Sequence, residues 1–339
     1  MVDWHKRRVL VTGGASFIGS ALVARLIEYG AQVSVADDLS SGRLENIAPF
    51  LDAGRIAFHR GDLRESSFAR ECVAGQDVVF HLAADHGGRG YVDTHQAACA
   101  GNLLLDGNVF RACVEASVSK IVYASSGCVY PNHLQQDASE ELYLQEPQVG
   151  PPYDADNTYG WAKLMGEMTL RALAREAGIN CVSCRYFTVY GEGGVENHAI
   201  IALIARARAA QDPYEVWGTG EQIRNWTYVG DIVAGTIRAA EVVSDGTAIN
   251  LGTTERVRVI DAVHQIFAIA GYTPTLRFRP DMPVGPTNRV ADNTLARTLL
   301  GWTPKVPFHE GLRRTMDWYY KTRSPQEAMR RLETTLLAR

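Results

Sequence analysis

Short apolar runs alternate, through the first half of the chain, with longer stretches whose apolar residues recur every three or four positions. Arg8–Thr12, Gln32–Ala36, Ile56–Arg60, Val78–Leu82 and Lys120–Ala124 have the length and composition of buried strands. Between them, Phe17–Tyr29 places Leu22, Leu26 and Ile27 on one helical face. Glu65–Val73, Cys99–Ala116 and Tyr159–Ala177 are also expected to be helical. Repeated strand–helix units predict an α/β chain with a parallel, doubly wound sheet.

After a further run at Cys181–Phe187 the alternation loosens. Helix-like Ala199–Ala209, a strand at Glu215–Trp217 and a Gly/Pro-rich stretch from Tyr272 to Pro286 predict a smaller C-terminal lobe. Thr227–Ala240 and Ala248–Leu251 return to the sheet-and-helix pattern. The expected division is therefore 1–185, with return segments near 225–252, then a lobe over 186–321. Residues 322–339 form a polar, helix-prone tail to which no chemistry is assigned.

A chain of 339 residues suits one large domain plus a smaller lobe. Apolar residues make up 46% and charged residues 21%, which is the balance of a soluble globular protein. The net charge of -4, without a block of like charges, argues against a nucleic-acid or anionic-membrane partner. No apolar run is long enough to span a bilayer, and the residues from Met1 to Arg8 lack the apolar core of a signal peptide, so a cytoplasmic location is expected. The six cysteines are scattered. Cys181-x-x-Cys184 has metal-site spacing but no second pair or histidine cluster, so it reads as packing and no metal is expected.

Val11-Thr12-Gly13-Gly14-Ala15-Ser16-Phe17-Ile18-Gly19 falls between a strand and a helix, where a pyrophosphate can rest on the helix N-terminus. Gly13 allows the tight turn and Gly19 the close helix–strand approach. Ser16 takes the middle position, where a third glycine is usual. Asp37 closes the second strand, where a carboxylate can accept from an adenosine ribose and repel a 2′-phosphate; Asp38 adds to that charge, so NAD is expected over NADP. Asp62 and Leu63 after the third strand are placed to meet the adenine, and Leu82, Ala83 and Ala84 after the fourth to line the middle of the cofactor. These features predict a Rossmann-type domain.

Tyr159 and Lys163, four apart on a predicted helix, project from one face, and Ser126 follows the fifth strand at the sheet's carboxyl edge. A tyrosine held by serine, its pKa lowered by a neighbouring ammonium, can take a hydroxyl proton while hydride leaves carbon.

These segments together resemble the extended short-chain dehydrogenase/reductase family of nucleotide-sugar epimerases and dehydratases. Further likeness lies in Asn102 with Asn108, Arg185-Tyr186-Phe187, Tyr228-Val229-Gly230-Asp231, Asn250-Leu251-Gly252 and Leu300-Gly301-Trp302-Thr303-Pro304. Within the family, His81–Gly90, Tyr123–Pro131, Tyr214–Gly218 and Arg289–Asn293 are similar to segments of the GDP-mannose 3,5-epimerases. The resemblance implies transient oxidation of the sugar at C4, which acidifies the hydrogens on C3 and C5. It implies catalytic roles for Ser126, Cys128, Tyr159 and Lys163, with Cys128 as an acid/base. The second acid/base, a lysine in those enzymes, falls on His198 here, with Asn197 as the alternative alignment. Substrate contacts are implied for Gly87, Gly127, Thr188, Trp217 and the diphosphate-holding Arg206, Arg224 and Arg289. Thr188 stands where the family usually has asparagine, and Gly127 cannot supply the proton that dehydratases deliver. A C4-only epimerase remains the alternative; a decarboxylase and a non-catalytic NAD-binding relative are more remote. A homodimer through the helices at 99–116 and 159–177 is also implied.

Overall fold

The computed structural model describes residues 3–335; the first two residues of the N-terminal segment and the last four of the tail lie outside the described residues. Seven strands form one parallel sheet: β1 (Arg8–Thr12), β2 (Gln32–Asp37), β3 (Ile56–Arg60), β4 (Val78–His81), β5 (Lys120–Ser126), β6 (Cys181–Tyr186) and β7 (Asp245–Leu251). Their spatial order is β7-β6-β5-β4-β1-β2-β3. The chain runs outward from β1 to β3 and then crosses to β4 on the other side of β1. That reversal opens a crevice beyond the carboxyl ends of β1 and β4, where doubly wound sheets place ligands. The expected α/β class, Rossmann-type sheet and strand positions are all present.

Alternate side chains of each strand feed two cores, as a strand's period of two dictates. Val9, Val11, Phe80, Val122 and Val182 pack beneath α1 (Phe17–Glu28) and a later helix at Val229–Val242. Leu10, Val79, Ile121 and Tyr123 pack beneath α2 (Asn102–Glu115) and α3 (Asn157–Glu176). Full burial of this kind stabilises by about 1.5–3 kcal/mol for each large apolar side chain.

The helix expected over Cys99–Ala116 is two pieces, Gln96–Ala100 and α2, broken at Gly101. Asn102 opens the second piece. Its side chain accepts from the Asp85 backbone N–H at 2.6 Å and donates to the Asp85 carbonyl at 2.9 Å, which moors the start of α2 to the loop after β4.

A third core belongs to the C-terminal segments. It gathers α4 (Ala199–Arg208), Tyr214, Trp226, an unanticipated helix at Val259–Ala270, α5 (Phe308–Thr322) and α6 (Pro325–Thr335). The Gly/Pro-rich stretch hides a strand, Leu276–Arg279, that runs parallel to Tyr214–Trp217. The tail is no loose appendage, since Ala328 and Leu332 of α6 are buried in this core. Cys181 and Cys184 are buried in β6, and the Cys181 thiol lies 3.3 Å from the Leu170 carbonyl.

Candidate active site

A continuous cleft of about 510 Å³ runs across the carboxyl ends of the strands, between the sheet and the third core. At one end the backbone turns at Gly13 with φ +68, and a Cβ there would lie 2.8 Å from the Ala83 nitrogen. A Cβ on Gly19 would overlap the Gly13 carbonyl, so α1 can start against the turn only with glycine at that position. The Ser16 hydroxyl folds back onto the Gly13 carbonyl at 2.6 Å and braces the turn from within. Asp37 does likewise, accepting from the Ala15 N–H at 3.0 Å and the Leu39 N–H at 2.9 Å. Its carboxylate lines the cleft, where a ribose hydroxyl could donate to it. Asp62 holds Arg64 in a two-pronged pair at 2.8–3.0 Å. Phe17, Ile18, Leu63, Leu82, Ala83 and Ala84 line the same end.

Beneath this floor lies a buried polar chain. Thr12 Oγ1 accepts from the Leu82 and Ala83 N–H groups at 3.1 Å each and meets His81 Nδ1 at 2.7 Å. His81 Nε2 meets Asp106 at 3.0 Å, and the Tyr123 hydroxyl donates to the other Asp106 oxygen at 2.5 Å. Burial lowers the His81 pKa, so the ring bridges Thr12 and Asp106 as a neutral imidazole and fixes the 82–84 loop.

Ser126, Tyr159 and Lys163 converge at mid-cleft. Ser126 Oγ accepts from the Cys128 N–H at 3.1 Å, and its hydrogen bond to Tyr159 favours the phenolate. Lys163 Nζ is buried with no hydrogen-bond partner among the described residues, 4.6 Å from the Tyr123 ring centre and 5.8 Å from that of Tyr159. A buried ammonium without an acceptor is costly, and the hydroxyls of a dinucleotide ribose fit the need. The Tyr159 pKa, expected to be lowered, is raised well above its ordinary value by burial, and burial in turn lowers that of Lys163. The physical reason is desolvation, which outweighs the hydrogen bond from Ser126.

The other end of the cleft is cationic. Arg289 donates to Gln135 Oε1 at 2.7 Å, to Asp156 Oδ2 at 2.9 Å and to the Cys128 sulfur at 3.2 Å. Arg89 reaches the same Asp156 oxygen at 2.8 Å. The role read for Arg289 from sequence, holding a diphosphate, is therefore joined by a second one beside the Cys128 thiol. Arg224 donates to the Ile223 and Val284 carbonyls at 2.7 and 2.8 Å. Its pKa is lowered to about 9, by burial first and then by Arg289 and Arg89. Burial also lowers that of Arg206, which lines the cleft from α4. Such desolvated guanidiniums call for an anion.

Gly87, Gly127, Thr188, Trp217, Asn197 and His198 all line the cleft, so the structure brings every residue of the sequence-derived site to it except Gly19, which shapes the turn from behind. Gly87 also has a packing reason, for a Cβ there would lie 2.7 Å from Tyr91 Cβ. His198 sits at the N-cap position of α4, part-exposed at the bottom of the cleft with protein on nearly all sides. Burial lowers its pKa to about 4, so its ring is neutral at pH 7.

Residues 9–252 match the NAD dependent epimerase/dehydratase family. The chain belongs to that family. GDP-mannose 3,5-epimerase 1 of Oryza sativa subsp. japonica is 31% identical over 321 residues, covering 93% of this chain and 82% of that one. An epimerase structure from Methanothermobacter thermautotrophicus superposes with a TM-score of 0.84 at 30% identity, covering 94% of each chain. The UDP-glucose 4-epimerase of Thermotoga maritima, solved with UDP-glucose, gives 0.81 at 28% identity, covering 93% of this chain and 99% of that one. In this family the cofactor is NAD, which the glycine turn and Asp37 would hold and which would supply a hydride acceptor and a positive charge. The turn, the buried Lys163 ammonium without a hydrogen-bond partner among the described residues, and the Asp37 carboxylate lining the cleft fit that group.

Sequence reasoning gave no role to Gln135 or Asp156, and named His86 and Arg89 only as part of the His81–Gly90 segment. Asp156 occupies the N-cap position of α3, yet its side chain makes no cap bond and turns to the two arginines. A carboxylate three residues before Tyr159 was a signal for capping, not for this network. Gln135 is 154 residues from Arg289 along the chain, and nothing local announces their contact.

Proposed function

We propose that the protein oxidises a GDP-linked hexose at C4, inverts C3, C5 or both, and then restores the C4 hydroxyl. The observation that carries this reading is the Cys128 sulfur, 3.2 Å from an Arg289 nitrogen, in the cleft that also holds His198 and Tyr159. Tyr159, hydrogen-bonded to Ser126 and with the Lys163 ammonium 5.8 Å from its ring centre, takes the C4 hydroxyl proton once the cofactor's positive charge is in place. The resulting ketone loosens the neighbouring C–H bonds. His198, neutral because burial opposes its charge, removes a proton from one face. Cys128 delivers a proton to the other, and the Arg289 guanidinium stabilises the thiolate left behind. Arg206 and Arg224 hold the diphosphate, Trp217 and Thr188 border the nucleotide and sugar, and Gly127 leaves room over the ring. Residues 186–321 act as the substrate-holding lobe, and residues 1–185 with 225–252 as the cofactor domain.

A C4-only epimerase is the second reading. Ser126, Tyr159 and Lys163 suffice for it, and the Thermotoga maritima neighbour is named for that reaction. Incubation with GDP-mannose in heavy water separates the two. Deuterium at C3 or C5 is expected; inversion at C4 with neither carbon labelled would defeat the C3/C5 proposal.

The homodimer reading is supported by Leu103 and Leu104 of α2 and Trp161 and Met165 of α3, all exposed on neighbouring helices. No helix among the described residues is long and apolar enough to cross a membrane.

A further inference from the structure

The cleft holds a second histidine to which the proposed chemistry assigns no task. His86, in the glycine loop after β4, has its ring centre 5.0 Å from that of Tyr159, edge to face, and 5.5 Å from that of His198. The two histidines come from opposite halves of the chain, and the backbone is built to bring them together. A Cβ on Gly88 would overlap the Asn197 carbonyl, so the 86–88 loop can close on the segment before α4 only because residue 88 is glycine. On its other side the loop is pinned by Tyr91, which packs against Gly87 and donates its hydroxyl to Asp85 at 2.7 Å.

This pairing answers a difficulty in the chemistry. A histidine whose surroundings oppose its charge makes a good resting base, but the imidazolium formed when it takes a proton from carbon is unstable there. That proton tends to fall back onto the same carbon, and inversion is then undone. A second imidazole, within direct or one-water reach and part-exposed in the cleft, offers the proton a way out.

We propose that His86 is the proton outlet of His198. The step rests on the proposal above that His198 removes a proton from C3 or C5. The C–H bond breaks and its electron pair stays in the enolate. The proton binds the unprotonated nitrogen of His198, passes to the His86 imidazole, and leaves from it to water. Cys128 meanwhile forms the new C–H bond from its S–H, and its thiolate regains a proton from water, so the sum over one inversion is neutral. His86 acts through His198 and is a relay residue, not the base itself.

The test uses GDP-mannose in heavy water with the full-length protein. In His86→Gln, deuterium entry at C3 and C5 is expected to fall about 10²-fold, with the starting sugar keeping its own hydrogen. The transient absorbance of reduced nicotinamide should match wild type, because the C4 step does not use His86. In His86→Ala, added free imidazole should restore exchange in proportion to its concentration, a response that a role in shaping the loop does not produce. Wild-type exchange in both variants would overturn the relay. So would loss of exchange together with the C4 step, or loss that imidazole leaves unrestored. Wild-type protein that oxidises C4 yet never labels C3 or C5 would sink the C3/C5 function itself, and the relay with it.

Discussion

The two ends of the cleft are built by different means. The cofactor end is mostly main chain: a glycine turn, a helix N-terminus and backbone N–H groups braced by Ser16, Asp37 and Thr12, all close to strand ends. The sugar end is mostly side chains drawn from far apart, with Cys128, Asp156, Arg89 and Arg289 meeting across more than a hundred positions. Backbone sites follow from local chain geometry, so one domain type can serve many reactions. Side-chain clusters decide which reaction occurs.

Tyr159→Phe gives the largest expected effect, because every proposed reaction passes through this hydroxyl. Turnover should fall by up to about 10⁴-fold while equilibrium binding of GDP-mannose is kept. Retained turnover would place the proton acceptor elsewhere and blur the division between the two ends. Cys128→Ala follows, with a loss of about 10³-fold confined to deuterium entry at C3 and C5. The transient reduction of bound cofactor should continue, since the cofactor end is untouched. Exchange at the wild-type rate would return Cys128 to a packing role.

The same division explains what could be read from the chain alone. β1, β3 and the start of α1 were legible to the residue because apolar runs bounded by polar residues declare themselves locally. Gly13 and Gly19 were legible for a similar reason: the positive φ of Gly13 and the contact of Gly19 with residues 13 and 14 arise within one turn, although the Gly13 contact with Ala83 does not. Leu276–Arg279 was hidden because its exposed, arginine-rich pattern becomes a strand only by pairing with Tyr214–Trp217. Cys128 and His198 entered through resemblance to a family, His86 only as part of the His81–Gly90 segment and without a role, and the Asp156 bridge not at all. Tyr159 shows the limit most clearly: its spacing from Lys163 was visible, but the burial that raises its pKa belongs to the assembled fold.

Asp156→Asn sharpens the comparison on the side of stability. Its carboxylate is nearly buried and shared by Arg89 and Arg289. Those pairs hold its pKa below the usual carboxylate range even though burial acts to raise it. Removing the charge leaves two crowded guanidiniums, so unfolding by denaturant should show a loss of about 3 kcal/mol, the low end for a broken buried pair because Arg89 keeps Asp93. Nucleotide-sugar binding at saturating ligand should recover part of that loss, since the diphosphate supplies the missing anion. An unchanged unfolding midpoint would show that the sugar end does not depend on this bridge.

The smallest effect concerns His198 and acid. Its pKa is about 4 in the folded protein against 6.5 for an ordinary histidine. Between those values the unfolded chain binds a proton that the folded protein refuses. The stabilising contribution is therefore complete above pH 6.5 and is lost as pH falls toward 4. His198→Asn removes the titrating group, so the drop in melting temperature between pH 7 and pH 5 should be shallower than in wild type. The catalytic counterpart has the same origin: a base that stays neutral down to about 4 should let wild-type C3/C5 exchange persist through pH 5.5, where an ordinary histidine would already be mostly charged. An acid limb centred near 6.5, with identical stability slopes in both proteins, would place the ring in water and leave the sugar end without its base.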